Sequence, residues 1–259
     1  MQPNSVKQNL MAGGSSIGTF MFEFHSAGIA RAAASAGAEF AIFDMEHTGW
    51  SVETIRTLCA TSHGTDMLPL VRVPATEYHF IARALDMGAQ GVMVPMVESV
   101  EQAEKIVKSA KYPPVGRRGS AFGIGHDDYT GGDVVEKMNS SNEHQLLIAQ
   151  IETTNGLENV EGIAAVDGID VLWIGQSDLS ASIGIPGQFG HPDFVAAMDR
   201  VIKACKDNGK IGGFMPTTLD LAEVVADKGF RMLAWSGDVW IYQAGLKAGI
   251  DSLREFTSK

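Results

Sequence analysis

Cysteine is nearly absent from this chain, at 2 of 259 residues, and both Cys59 and Cys205 fall inside stretches patterned as helices. Two such thiols make no disulfide framework and lack metal-ligand spacing, so buried free thiols in a reducing compartment are expected. Long apolar runs are missing too; none approaches the ~20 residues that cross a bilayer. Basic residues are scarce, with 20 Lys and Arg against 31 Asp and Glu and a formal net charge of −11. That balance argues against nucleic acid, whose binding needs clustered Lys and Arg. Residues 1–14 are polar and contain glycine, without a basic-then-apolar leader pattern. A cytoplasmic protein with no membrane or nucleic-acid partner is expected. No G-x-G-x-x-G follows the first strand-like run, which counts against a doubly wound dinucleotide fold.

What is present is a regular alternation. Hydrophobic residues make up 45%, enough for a full core. Eight short apolar runs cover residues 17–20, 40–43, 68–71, 91–94, 146–151, 171–174, 211–214 and 232–234. Most are continuous, which marks strands buried on both faces, as in parallel sheets. Amphipathic stretches separate them, at 29–36, 52–62, 79–87, 100–110, 194–208 and 219–228. Ser51, Thr76, Ser99 and Asp193 stand where helices should begin, and Gly37, Gly88, Gly209 and Gly229 where they should stop. Eight β/α alternations in about 250 residues predict a single-domain TIM (β/α)8 barrel over residues 1–259. Residues 112–133 form one long connection, with Pro113-Pro114, Arg117-Arg118 and His126-Asp127-Asp128; a loop that long is usually functional or mobile. It could form part of a substrate pocket or a lid, whereas Arg117 and Arg118 read best as a solvated basic turn. Residues 238–256 pattern as a long C-terminal helix.

Two carboxylates stand where apolar runs end. Glu152 follows the fifth run, and Asp178 follows the sixth in Gly175-Gln176-Ser177-Asp178. Strand, helix, strand places parallel strands together with their C-terminal ends at the face where ligands bind. Two carboxylates with open positions suit a hard divalent cation, Mg or Mn. On spacing alone, a helix-capping Asp178 and a solvated Glu152 remain the alternative. Other strand ends carry Asp44-Met45-Glu46-His47, Arg72, Gln150 and 235–238, so several polar groups are expected at one rim.

Those motifs, with Val71-Arg72-Val73-Pro74, Ala84-Leu85-Asp86-Met87-Gly88-Ala89, the 112–119 stretch and Gln150-Ile151-Glu152-Thr153, resemble the HpcH/HpaI aldolase family over nearly the whole chain. The resemblance implies a TIM barrel of the phosphoenolpyruvate/pyruvate superfamily. It further implies a class II aldolase that cleaves 4-hydroxy-2-oxo acids to pyruvate and an aldehyde. By that resemblance Glu152 and Asp178 are metal ligands, for Mg or Mn first and Co or Zn otherwise. Arg72 would hydrogen-bond the enolate oxygen. His47 would be the general base on the 4-hydroxyl, directly or through a water. Asp44 and Glu46 would support them from outside the metal's ligand set. Gln150 would donate to substrate, and the Ser177 and Asp178 amides would bind the pyruvate carboxylate. Relatives often carry proline where Gln176 stands, so the backbone rather than that side chain is expected to act. The family pattern has Asp86 orient the catalytic histidine. Late in a helix, Asp86 sits at the wrong end of its own barrel, so it is expected to reach a neighbouring subunit. Lys137 and Lys210 lack a strand-interior place, which disfavours a Schiff base.

Two other readings compete. One is an acyl-CoA lyase of the citrate or malyl type, which needs a basic nucleotide-binding surface not evident here. The other is a barrel without catalysis, against which the intact set of His47, Arg72, Glu152 and Asp178 speaks. The C-terminal helix, with Trp240, Ile241, Tyr242, Leu246 and Leu253, carries more apolar surface than a barrel exterior needs. It is expected to pack on a neighbour in a homo-oligomer, a hexamer built as a trimer of dimers.

Overall fold

A computed structural model describes residues 3–258, and the eight apolar runs become the eight strands of a closed, wholly parallel barrel in sequential order. A short helix, α1 (Ser5–Met11), precedes β1 (Ser16–Met21), α2 (Ile29–Ser35) and β2 (Phe40–Asp44). Next come α3 (Val52–Ser62), β3 (Leu68–Arg72), α4 (Tyr78–Asp86), β4 (Gly91–Val94) and α5 (Val100–Ala110). The long connection holds one 3-10 turn (Gly125–Asp127) and then α6 (Val134–His144), a helix the periodicity did not predict. It leads to β5 (Leu146–Ile151), α7 (Thr154–Glu158), α8 (Val160–Ala164), β6 (Val171–Ile174) and α9 (Gln176–Ser182). The chain closes with α10 (Pro192–Asp207), β7 (Ile211–Phe214), α11 (Leu219–Lys228), β8 (Met232–Gly237) and α12 (Asp238–Thr257).

Continuous apolar strands are what two-sided burial demands. One set of side chains, with Val71, Val92, Ala149 and Leu172, faces the helices. The alternate set, with Phe20, Phe40, Leu70, Ile148 and Trp173, fills the barrel interior. α1 plugs the interior at its N-terminal end, placing Val6 and Leu10 in that inner cluster. Its Lys7 ammonium pairs with Asp170 at 3.0 Å. Ser51 and Ser99 cap α3 and α5 as expected, each accepting from an amide three residues on. Thr76 does not: Glu77 holds the cap position of α4 and makes no side-chain cap bond.

The long connection follows a helix, so it runs along the N-terminal face of the barrel. Arg118 reaches Asp86, His63 reaches Asp128, and Asn142 bonds Tyr112 there. It therefore does not cover the C-terminal rim of its own barrel. Arg118 is also not a solvated turn residue: its guanidinium is buried, 4.7 Å above the Tyr112 ring and ion-paired with Asp86. α12 matches the expected C-terminal helix, and Trp240, Tyr242, Leu246 and Leu253 are exposed along it.

Candidate active site

Parallel register sets the first contact at the C-terminal rim. Asp44 and Arg72, the last residues of β2 and β3, lie directly opposite each other. The Arg72 Nε–H donates to Asp44 Oδ1 at 2.6 Å. The same buried carboxylate accepts from the amides of Glu46 at 3.1 Å and His47 at 2.9 Å, and so shapes the turn that presents both side chains. A second contact, Arg72 Nη1 to Glu46 Oε2, spans 3.0 Å. The rings of Phe20 and Phe22 stand 5.2 and 5.7 Å from the guanidinium carbon. Arg72 is thus a permanent cation fixed between carboxylates and aromatic faces, screened from water, which is where it best stabilises developing negative charge.

Glu152 is buried just beyond β5. Its Oε1 accepts from the Met96 amide at 2.7 Å, and its Oε2 accepts from Gln150 Nε2. Gly175 makes room for it: a Cβ there would fall 2.2 Å from Glu152 Oε2. Burial pushes the Glu152 carboxyl up to about 7, reinforced by the charges of Glu46 and Asp178 and opposed by the Met96 N–H. Burial likewise pushes Glu46 up to about 7; Arg72 opposes this, while Asp44 and Asp178 reinforce it. Asp178 lies exposed in the first turn of α9. The charges of Glu46 and Asp178 thus raise the proton affinity of Glu152, as neighbouring acids do where a cation is meant to sit.

Among the described residues no three His, Cys, Asp or Glu side chains already converge as a metal cage. Two carboxylates would leave the remaining positions to water and substrate. The donor chemistry fits a hard divalent ion: the ligands are oxygen only, and Gln150 Oε1 beside them is a buried acceptor without a hydrogen-bond donor. A buried acceptor of this kind calls for a partner in the cavity beside it.

His47, Arg72, Gln150, Ser177 and Asp178 line one cavity with Trp173, Met215 and Trp240. The His47 ring is more than half exposed, with Nε2 3.6 Å from Glu46 Oε2. Gln150 faces the cavity; one N–H of its amide goes to Glu152, and its Oε1 has no donor. Gln176 donates to the Met215 carbonyl at 2.9 Å, a strap between two rim loops. Asp86 stays apart at the opposite end, its Oδ1 held by Arg118 Nη2 at 2.6 Å within the same chain. Lys137 pairs with Asp127 and Lys210 with the Val166 carbonyl, both away from the rim. Sequence reasoning missed the aromatic wall. Phe20 stacks on Phe22 at 5.4 Å and meets Trp173 edge-on at 5.9 Å. The signal was Phe20-Met21-Phe22 at the end of the first run, where aromatics on alternate positions share one side.

Residues 18–243 match the model of the HpcH/HpaI aldolase/citrate lyase family. A hydroxypyruvate/pyruvate aldolase of Roseobacter denitrificans is 36% identical over 236 residues, covering 91% of each chain. A 2-keto-3-deoxy-L-rhamnonate aldolase of Klebsiella pneumoniae is 32% identical over 243 residues, covering 94% of this chain and 90% of its own. The crystal structure of an HpcH/HpaI aldolase from Desulfitobacterium hafniense superposes with a TM-score of 0.92 at 33% identity, covering 96% of both chains.

Proposed function

Because the chain belongs to the HpcH/HpaI aldolase/citrate lyase family, we propose that it is a divalent-metal-dependent carbon–carbon lyase that reversibly cleaves 4-hydroxy-2-oxo acids to pyruvate and an aldehyde. The observation that carries this reading is the pairing at one rim of a shielded guanidinium, Arg72, with two mutually repelling carboxylates, Glu152 and Asp178. Cleavage leaves an enolate, and that charge must be met as it forms. Glu152 and Asp178 would hold Mg or Mn, whose charge, when bound, polarises the 2-oxo group and lowers the energy of the enolate.

The chain's own residues supply the rest. Arg72 donates to the 2-oxo oxygen, and Asp44 and Glu46 keep its guanidinium from swinging away. The Ser177 and Asp178 amides, in a first helical turn without intrahelical acceptors, receive the substrate carboxylate. His47 takes the proton from the 4-hydroxyl. The C3–C4 bond then breaks, C4 leaves as the aldehyde carbonyl, and the bonding pair moves into the C2–C3 enolate. Return of that proton from His47 to C3, directly or through a water, completes pyruvate. Gln150 Oε1 accepts from a water or hydroxyl in the cavity, and the aromatic wall keeps bulk water from the enolate. Asp86 serves a neighbouring subunit's mouth, in a homo-oligomer that covers the apolar side of α12.

The test is pyruvate release from 4-hydroxy-2-oxo acids by EDTA-treated protein, before and after Mn or Mg is restored. Metal-restored activity that Glu152→Ala abolishes is expected. No pyruvate from any such acid would turn the assignment to an acyl-CoA lyase of the citrate type or to a barrel without catalysis. Activity indifferent to EDTA would reopen a lysine mechanism.

A further inference from the structure

Three independent features of the β8–α12 corner converge on one side chain, Phe22. The first is a bulge. Gly18 on β1 pairs with Ala234 on β8, but Phe20 pairs with Gly237, so β8 carries one residue more than β1 over this stretch. Ser236 absorbs the extra residue at φ +50°, a left-handed conformation that L-residues seldom adopt. The second is Gly237. A Cβ there would lie 2.7 Å from Phe22 Cδ2 and 2.8 Å from Trp240 Cζ3, so only glycine lets these two rings close on the corner. The third is Asp238. Its carboxylate, 7% exposed, accepts from the amides of Phe22 at 2.9 Å, Glu23 at 3.0 Å and Phe24 at 2.7 Å, besides its own helix's Val239 at 2.8 Å.

Three successive loop amides on one buried carboxylate are more than a helix start needs, since a first-turn acid is useful there without any of them. What they fix is the direction of the chain leaving β1. That direction stands the Phe22 ring against Phe20, edge-on to Trp240 at 5.0 Å and 5.7 Å from the Arg72 guanidinium carbon. We propose that Asp238, with Gly237 beside it, is a positioning residue for catalysis: it holds Phe22 as the wall of the substrate cavity over Arg72 and so sets affinity for the hydroxy-oxo acid. The effect on that acid rests on the aldolase reading above; the hold on the loop does not. Asp238 is also the first residue of α12, so the same contact ties the placement of that helix to the mouth of the barrel.

The test compares Asp238→Asn, Asp238→Ala, Gly237→Ala, Phe22→Leu and the double variant Asp238→Ala/Phe22→Leu. Each is assayed for KM and kcat in retro-aldol cleavage and for hydrogen exchange at the amides of residues 22–24. Asp238→Ala and Gly237→Ala are expected to raise KM about tenfold, with kcat per folded enzyme changed less than about threefold. The double variant should match Phe22→Leu within about twofold, because Asp238 acts through that ring. Asp238→Asn, which preserves shape, should lie between wild type and Asp238→Ala and keeps the test open if the alanine variant does not fold. The three amides should exchange at least about tenfold faster in Asp238→Ala than in wild type. Effects that multiply in the double variant, or an unchanged KM in every folded corner variant, would overturn the catalytic role. Unchanged exchange at residues 22–24 would overturn the proposal whatever the activity. An inactive wild type with faster exchange in Asp238→Ala would instead sink the aldolase reading and uphold the hold on the loop.

Discussion

The amide of Met96 donates to Oε1 of Glu152 at 2.7 Å from a backbone held at φ +53°. A left-handed non-glycine residue costs about 1–2 kcal/mol, and here that geometry aims an N–H at a carboxylate which two other acids repel. Met96→Gly keeps the N–H without the strain. It should melt within a few degrees of wild type and bind Mn within about threefold of it. Met96→Val, β-branched in the same conformation, should lose about 2 kcal/mol and bind Mn at least about tenfold more weakly as the amide swings away. Thermal melts and Mn titrations of the two variants check this.

Metal removal should couple to pH with a definite sign. Glu46 and Glu152 rise from 4.5 to about 7 on folding, so the folded chain keeps protons that the unfolded chain has released. Stability from this source is full below the unfolded value and is lost as pH rises through about 7. Metal-free protein should therefore be less stable at about pH 8 than at about pH 5.5, by a few kcal/mol for the pair. A divalent cation on Glu152 favours the charged form, so Mn should raise the melting temperature more at about pH 8 than at about pH 6. Equal Mn shifts at both pH values would contradict the placement of the ion.

Asp44 and Arg72 should separate orientation from charge. Arg72→Lys keeps a cation but loses the fork that Asp44 and Glu46 hold, and is expected to lower kcat about a hundredfold with Mn binding intact. Asp44→Ala leaves a buried guanidinium short of its partner and unties the Glu46 and His47 amides. A loss of about 3–5 kcal/mol is expected. Chemical denaturation and steady-state kinetics on both variants provide the check.

Asp86 and His47 lie at opposite ends of one barrel, which makes a mixing experiment decisive. If Asp86 serves a neighbour, His47→Ala and Asp86→Ala should each be nearly inactive. Subunits of the two, exchanged into one assembly, should recover activity at sites that receive both native residues, up to about a quarter of wild type for random pairs. No recovery after proven subunit exchange would confine Asp86 to its ion pair with Arg118.

Oligomer formation has its own check on α12. Leu246→Glu with Leu253→Glu places two charges on its exposed apolar side. Light scattering should find the wild type as an assembly and the variant shifted towards monomer.

Strand positions and the polar C-terminal rim were legible in the sequence because both are local consequences of pattern. Continuous apolar runs specify strands buried on both faces, and a residue just past such a run can only stand at the barrel's C-terminal rim. That reasoning brought His47, Arg72, Gln150, Glu152 and Asp178 to one mouth. α6 was not legible: its sequence, Val134 to His144, is polar with a weak apolar face, and Asp133 caps it without any periodic signal. Arg118 misled for a related reason, since two adjacent arginines look solvated until a partner, Asp86, arrives from 32 residues away.

By itself, then, the sequence determined the barrel, the order of its strands and the set of charged groups at its rim, because periodicity and chain direction are properties of neighbours. Only the tertiary structure decided how those groups are held. The left-handed amide of Met96, the bulge at Ser236 and the grip of Asp238 on residues 22–24 all join segments that are distant in sequence. Their effect comes from distances of about 3 Å between backbone and carboxylate, which no local pattern encodes.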